Sequence, residues 1–136
     1  TGIRLGEAMN LNITEHVNAN TIHVVSTTGA RTKSGKWREI PLFDGARAAL
    51  EHLDGRLFTI NPKSVSRAFH NDVAGLGLSG SLHSLRHTFI SHLAMSGKFS
   101  MSEIQAWAGH ASVITTQRYQ HLIPNYRQID TGAISL

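Results

Sequence analysis

The chain has 136 residues and a mass of 14.9 kDa, a length that fits one hydrophobic core and needs neither disulfides nor a structural metal to fold. It contains no cysteine, which removes disulfide frameworks, thiolate zinc sites, iron–sulfur clusters and cysteine nucleophiles, and fits a reducing, cytoplasmic setting. Thirteen Lys and Arg against nine Asp and Glu give a net charge of +4 and a pI near 10.0, a weak pointer to nucleic acid, while the absence of a long apolar run or a basic-then-apolar leader sets membrane and secretory readings aside.

In chain order, Leu5, Ala8, Met9 and Leu11 follow helical spacing and predict a short helix over residues 4–11, with asparagines at 10, 12 and 18–20 marking turns after it. Residues 21–27 are β-branched and alternating, and residues 37–42 form a second short extended run. Between them lies a stretch rich in Gly, Ser and Lys, so the pair predicts a β-hairpin. Arg31, Lys33, Lys36 and Arg38 fall near its tip without an intervening acid. That is either a solvated tip or a basic finger aimed at phosphate. Pro41 suits the exit of an edge strand, because it cannot donate to a ladder.

Everything after Asp44 reads as helical. Asp44 is expected to cap a segment to about residue 52, and Pro62 to open one to about Val73, ended by Gly75, Gly77 and Gly80. Ser81 is expected to cap a helix over residues 82–96, with Leu82, Leu85, Phe89 and Leu93 as its apolar stripe and Gly97 as its stop. Ser100 and Glu103 form a capping box for a helix ending at Gly109, and Ser112 caps one more to about Tyr119. The expected fold class is mainly α with a small antiparallel β-sheet, an α+β domain over residues 1–136.

Chemistry-bearing residues fall in five short blocks: Thr1-Gly2-Ile3-Arg4-Leu5-Gly6-Glu7, Arg31-Thr32-Lys33-Ser34-Gly35-Lys36, His83-Ser84-Leu85-Arg86-His87-Thr88-Phe89, Gly109-His110 and Thr115-Thr116-Gln117-Arg118-Tyr119-Gln120-His121. Each alone has an ordinary reading. Arg4 and Glu7 are spaced as a surface ion pair, His83 as a capping histidine, His110 as a helix-end residue and Tyr119 as a half-buried tyrosine. His83 and His87 are four apart and could clasp zinc, but the glutamate of a His-Glu-x-x-His site is missing. Taken together the blocks hold what metal-free cleavage of a phosphodiester requires: two guanidinium forks for the phosphate oxygens, a lysine for the leaving oxygen, imidazoles to move protons and a tyrosine nucleophile. Surrounding cations are expected to favour the phenolate.

The order and flanks of these blocks resemble the catalytic domain of the tyrosine recombinases, the phage integrase family, from Thr1 to about Leu122. The family places an arginine in Thr-Gly-x-Arg-x-x-Glu, a lysine in a β-hairpin, then His-x-x-Arg, Gly-His and a nucleophilic tyrosine in Thr-Thr-x-x-Tyr-x-His. The resemblance implies a site-specific DNA recombinase, an integrase of mobile elements or prophages, that needs neither metal nor any other cofactor. It implies that Arg4 and Arg86 clamp the phosphate, Lys33 protonates the 5′ oxygen, His83 assists proton transfer, His110 bonds a phosphoryl oxygen and Tyr119 attacks the phosphorus. Glu7 would orient the basic groups, and His87 and His121 would be supporting neighbours; the basic-finger reading of the hairpin makes Arg31, Lys36 and Arg38 expected DNA contacts. The implied partners are double-stranded DNA at recombination sites, further copies of the protein assembling as a tetramer, and accessory DNA-bending proteins, at the nucleoid and with no membrane. Ala108 and Ala111 depart from the leucine and serine common beside Gly-His. The block containing Arg4 normally follows further helix and a DNA-clamping domain, so the chain is expected to be a fragment, and its tail from about Ile123 to Leu136 to contact a neighbouring protomer. Strand nicking and resealing of the type IB topoisomerase kind, and a non-catalytic DNA-binding relic, are the alternatives.

Overall fold

The computed structural model describes residues 1–25 and 37–124. Helix α1 (Leu5–Met9) is followed by a second short helix, α2 (Ile13–His16), where the asparagines predict only turns. Asn12 explains the difference: its side chain accepts from the Thr14 amide and caps α2. Strands β1 (Thr21–Val25) and β2 (Trp37–Pro41) pair antiparallel, with Ile22 opposite Ile40, Val24 opposite Arg38 and Thr21 opposite Pro41. Pro41 thus lies at the end of an edge strand, as its chemistry requires.

Helix α3 (Asp44–Leu50) places Phe43, not Asp44, at the cap position, so the expected Asp44 cap is corrected to a first-turn acid at the positive helix end. Helix α4 (Pro62–Gly75) is capped by Asn61, which accepts from the Ser64 amide, and it absorbs Gly75. Helix α5 (Leu82–Ser96) and helix α6 (Met101–Ala108) have the expected bounds, with capping boxes at Ser81 and Ser100 and left-handed glycines at Gly97 and Gly109. Helix α7 (Val113–Gln117) stops two residues before Tyr119, which leads into a single 3₁₀ turn (Gln120–Leu122).

Among the described residues, two packed clusters form the core. Ile22, Val24, Ile40, Leu11, Ile13 and Leu42 seal the inner face of the sheet, and Ile90, Leu93, Ala94, Ile104, Ala108 and Tyr119 join α5, α6 and the segment after α7. Phe89 and Trp107 touch both, and Phe43 makes edge contacts to Phe89, Phe99 and Trp107 at 5.9, 6.1 and 6.3 Å. The predicted stripe of α5 holds at Leu93, which is buried, and at Phe89, which packs against both clusters, but not at Leu85. Leu85 is 53% exposed, and the face turned inward carries Arg86, Ile90, Leu93 and Ala94. An arginine heads that face because the interior offers it hydrogen-bond acceptors.

Candidate active site

The end of α6 is the organising point. The last carbonyls of a helix have no partner within it and carry partial negative charge, so they attract cations. Here three consecutive carbonyls each receive an arginine from a different element. Trp107 O accepts from Arg38 Nε of β2 at 2.8 Å, Ala108 O accepts from Arg86 Nη2 of α5, and Gly109 O accepts from Arg4 Nη2 at the start of α1 at 2.7 Å. Arg86 also donates through Nη1 to the carbonyl of Gly2. Arg86 is 4% exposed. Burial, then the nearby charges of Arg4 and Arg38, lowers its pKa to about 10, which leaves it a cation at neutral pH.

Glu7 supplies the counter-charge. Its carboxylate, 6% exposed, accepts two parallel bonds from Arg38 Nη1 and Nη2 at 2.8 Å each, a bond from Arg4 Nη1 at 3.2 Å and the Arg4 backbone amide at 2.8 Å. Burial opposes its ionisation, but those hydrogen bonds and charges together hold its pKa below the usual carboxylate value. Arg38 therefore does not present its charge outward as expected for a DNA contact: three of its N–H groups are spent on Glu7 and Trp107 O, and its side chain is only 13% exposed. The strand pattern carried a signal for this, since Arg38 shares the parity of Ile40, the most buried residue of β2.

Two glycines of the motif blocks permit this crowding. Gly2 has φ +62°, and a Cβ there would collide with the Phe89 ring. Gly109 has φ +66°, and a Cβ would lie 2.8 Å from the Arg38 guanidinium carbon. Only glycine lets the backbone approach so closely in that conformation.

His110 follows Gly109 directly. Its Nδ1 is 2.8 Å from the hydroxyl of buried Thr116, a residue of the tyrosine block that sequence reasoning left without a role. Burial first, then Arg86 and Arg4, pushes the His110 pKa down to about 4, so its ring is neutral at physiological pH. The Tyr119 hydroxyl meets His87 Nδ1, and the His87 ring in turn sits edge-on to His83 with centroids 4.6 Å apart. His87, read from sequence as a flanking residue, is thus the imidazole in contact with the tyrosine, and His83 is the next one along the α5 face. The spacing of four between them was the available signal. Burial raises the Tyr119 pKa and outweighs the opposing pull of Arg86 and Arg118, so the cations do not leave it a phenolate. His83 is held below the usual histidine value by desolvation, then by His87, Arg86 and Arg4.

A cleft of about 490 Å³ opens beside Arg4, His83 and Arg86 and is also lined by Ser66, Phe69 and His70 of α4. Lys33, Arg31 and Lys36 lie outside the described residues, as does the tail from residue 125. Among the described residues no three His, Asp or Glu side chains are grouped as a metal site requires, and no helix is long and apolar enough to cross a membrane.

Comparison with known proteins sets this arrangement in context. The profile described as the phage integrase family matches residues 1–125. A tyrosine recombinase XerC from Rhodospirillum centenum is 31% identical over 149 residues, covering 92% of this chain and 42% of that protein, so the chain spans less than half the length of this curated relative. The catalytic domain of bacteriophage HP1 integrase superposes with a TM-score of 0.70 at 32% identity, covering 93% of this chain and 71% of that one. XerA recombinase superposes with a TM-score of 0.71 at 28% identity, covering 90% and 49%.

Proposed function

The chain belongs to the phage integrase family, and from that membership we propose that it is the catalytic domain of a tyrosine-type site-specific recombinase acting on double-stranded DNA at the nucleoid. The observation that carries this reading is the convergence of Arg4, Arg86 and His110 on one helix end, with a tyrosine hydroxyl held by the helix that carries Arg86.

Arg4 and Arg86 each keep N–H groups beyond those given to carbonyls and Glu7, and these grip the non-bridging oxygens of the scissile phosphate. Their charge matters most when the phosphorus gains its fifth ligand. His110 is neutral, and its Nδ1 is engaged by the Thr116 hydroxyl, which leaves Nε2 as the ring nitrogen free to meet the same phosphate. Tyr119 is protonated at rest and must lose its proton as it attacks. His87 Nδ1 receives it, with His83 beside His87 to assist the transfer. The Tyr119 oxygen forms a bond to phosphorus, the bond to the 5′ oxygen breaks, and Lys33 gives that oxygen a proton. The products are a 3′-phosphotyrosyl link and a free 5′ hydroxyl. The link conserves the energy of the broken bond, so attack by a 5′ hydroxyl from a second duplex rejoins the strands without ATP or metal. Four copies meeting on two duplexes, with DNA-bending proteins, complete the exchange.

The test is incubation of the protein with nicked duplexes taken from the DNA flanking its own gene, followed by a denaturing gel for the covalent adduct. Tyr119→Phe is expected to abolish the adduct and keep DNA binding; an adduct that survives this change and disappears with Tyr126→Phe moves the nucleophile. A 5′-bridging phosphorothiolate substrate, whose leaving group hardly needs a proton, is expected to rescue Lys33→Ala; rescue of Lys36→Ala instead transfers the role to Lys36. Resealing without transfer to a second duplex would favour the topoisomerase reading.

A further inference from the structure

We infer that Arg38 is a positioning residue of the active site, a strut that sets where Arg4 and Arg86 aim, and not a DNA contact. The inference rests on the recombinase reading above and on geometry independent of it.

Three cations stand together at the end of α6, and mutual repulsion would drive them apart unless each is held. Glu7 is the shared counter-ion, but it sits on α1 and by itself neutralises only part of that charge. Arg38 is the group that joins the parts. Through Nη1 and Nη2 it fixes both oxygens of Glu7 at 2.8 Å, and through Nε it holds the Trp107 carbonyl at 2.8 Å. One planar guanidinium therefore links β2, α1 and the end of α6. The carbonyls next in line, of Ala108 and Gly109, are those that receive Arg86 and Arg4. Moving Arg38 moves the surface on which both clamp residues rest. The fork of an arginine is required, because a lysine ammonium cannot make two parallel bonds to a carboxylate and a third, in the same plane, to a carbonyl. The fit is tight from the other side as well, since Gly109 has no room for a Cβ against this guanidinium. Val24, buried in the core, is the cross-strand partner of Arg38.

The discriminating experiment uses Arg38→Gln and Arg38→Lys in the protein, with thermal unfolding to verify folding. With nicked duplex at saturation, the single-turnover rate of adduct formation is expected to fall on the order of 10²-fold in Arg38→Gln, the scale of a small misplacement of catalytic groups. DNA affinity and its salt dependence are expected to stay as in the parent. A phosphate contact gives the opposite pattern: affinity weakens, the salt slope drops by about one and the saturated rate holds. That result overturns the inference, as does no change in any quantity. If Arg38→Gln does not fold, Arg38→Lys keeps the charge beside Glu7, and a loss of saturated rate with unchanged salt slope still supports the strut, whereas a normal rate overturns it. Should the parent itself form no adduct, the recombinase reading fails, and the strut is judged without DNA. In that arm the guanidinium proton resonances of Arg4 and Arg86, slowed in exchange by their carbonyl partners, are expected to shift and exchange faster in either Arg38 variant. Unchanged resonances overturn the strut.

Discussion

Tyr119 and His110 sit in opposite chemical situations despite sharing the neighbourhood of Arg86. The phenol is pushed toward staying protonated, whereas the imidazole is pushed toward staying neutral. Replacing His87 by alanine is therefore expected to slow adduct formation about 10²-fold, within the range for losing a proton acceptor; a single-turnover rate within a factor of two of the parent would leave His83 as the acceptor. His110 also makes a prediction for stability. An unfolded chain protonates this residue near its ordinary value of 6.5 and the folded chain only at about 4. Between those values the unfolded state binds more protons, so stability is full above pH 6.5, declines as pH falls toward 4 and loses nothing more from this group below that. Glu7, with its depressed pKa, adds stability that is also lost on acidification. Urea unfolding at pH 7 and pH 4.5 is expected to show a smaller difference for His110→Asn than for the parent, isolating the histidine's share.

Among the elements, α6 separates a device for stability from one for geometry. At its start the Ser100 hydroxyl accepts the Glu103 amide at 3.3 Å, and the Glu103 carboxylate accepts the Ser100 amide at 2.7 Å. Ser100→Ala is expected to cost about 1 kcal/mol, the usual value of a cap, and to leave the adduct rate unaltered. At its other end, Gly109→Ala forces a left-handed residue with a Cβ into the Arg38 guanidinium. That change is expected to cost about 2 kcal/mol or more and to lower the adduct rate as well; urea titrations and single-turnover assays on the two variants read both quantities. These ends were legible in the sequence because caps are local: serine, glutamate and glycine announce a helix whatever it packs against. The place of Arg86 on the buried face of α5 was not, because a stripe drawn through leucines skips it and its burial depends on carbonyls supplied by Gly2 and Ala108, far away in the chain.

For the molecule as a whole, the site is assembled from both ends of the chain onto one helix terminus, and the two core clusters are joined through Phe89 and Trp107. The five blocks could be read in order without knowing this. The supporting contacts could not, since Arg38 with Glu7 and His87 with Tyr119 join residues 31 and 32 positions apart in the chain. Of these, Arg38 came closest to being readable, through its alternation with Ile40. Because the positive charge at the site is supplied by arginines, chelators are expected to leave cleavage unchanged; loss with chelator and recovery with zinc or magnesium would revive a metal role for His83 and His87.

The pairing of Val24 with Arg38 also makes the hairpin a reading frame for the active site. Strand residues alternate between faces, so slipping β2 by one position against β1 would turn Ile40 and Arg38 outward together and bring Trp37 and Glu39 in. Such a slip would place Glu39 where the arginine now meets Glu7 and expose a core isoleucine in the same stroke. Two carboxylates would face one another at the end of α6, where point substitutions on the outer face of the strand would pass almost unnoticed.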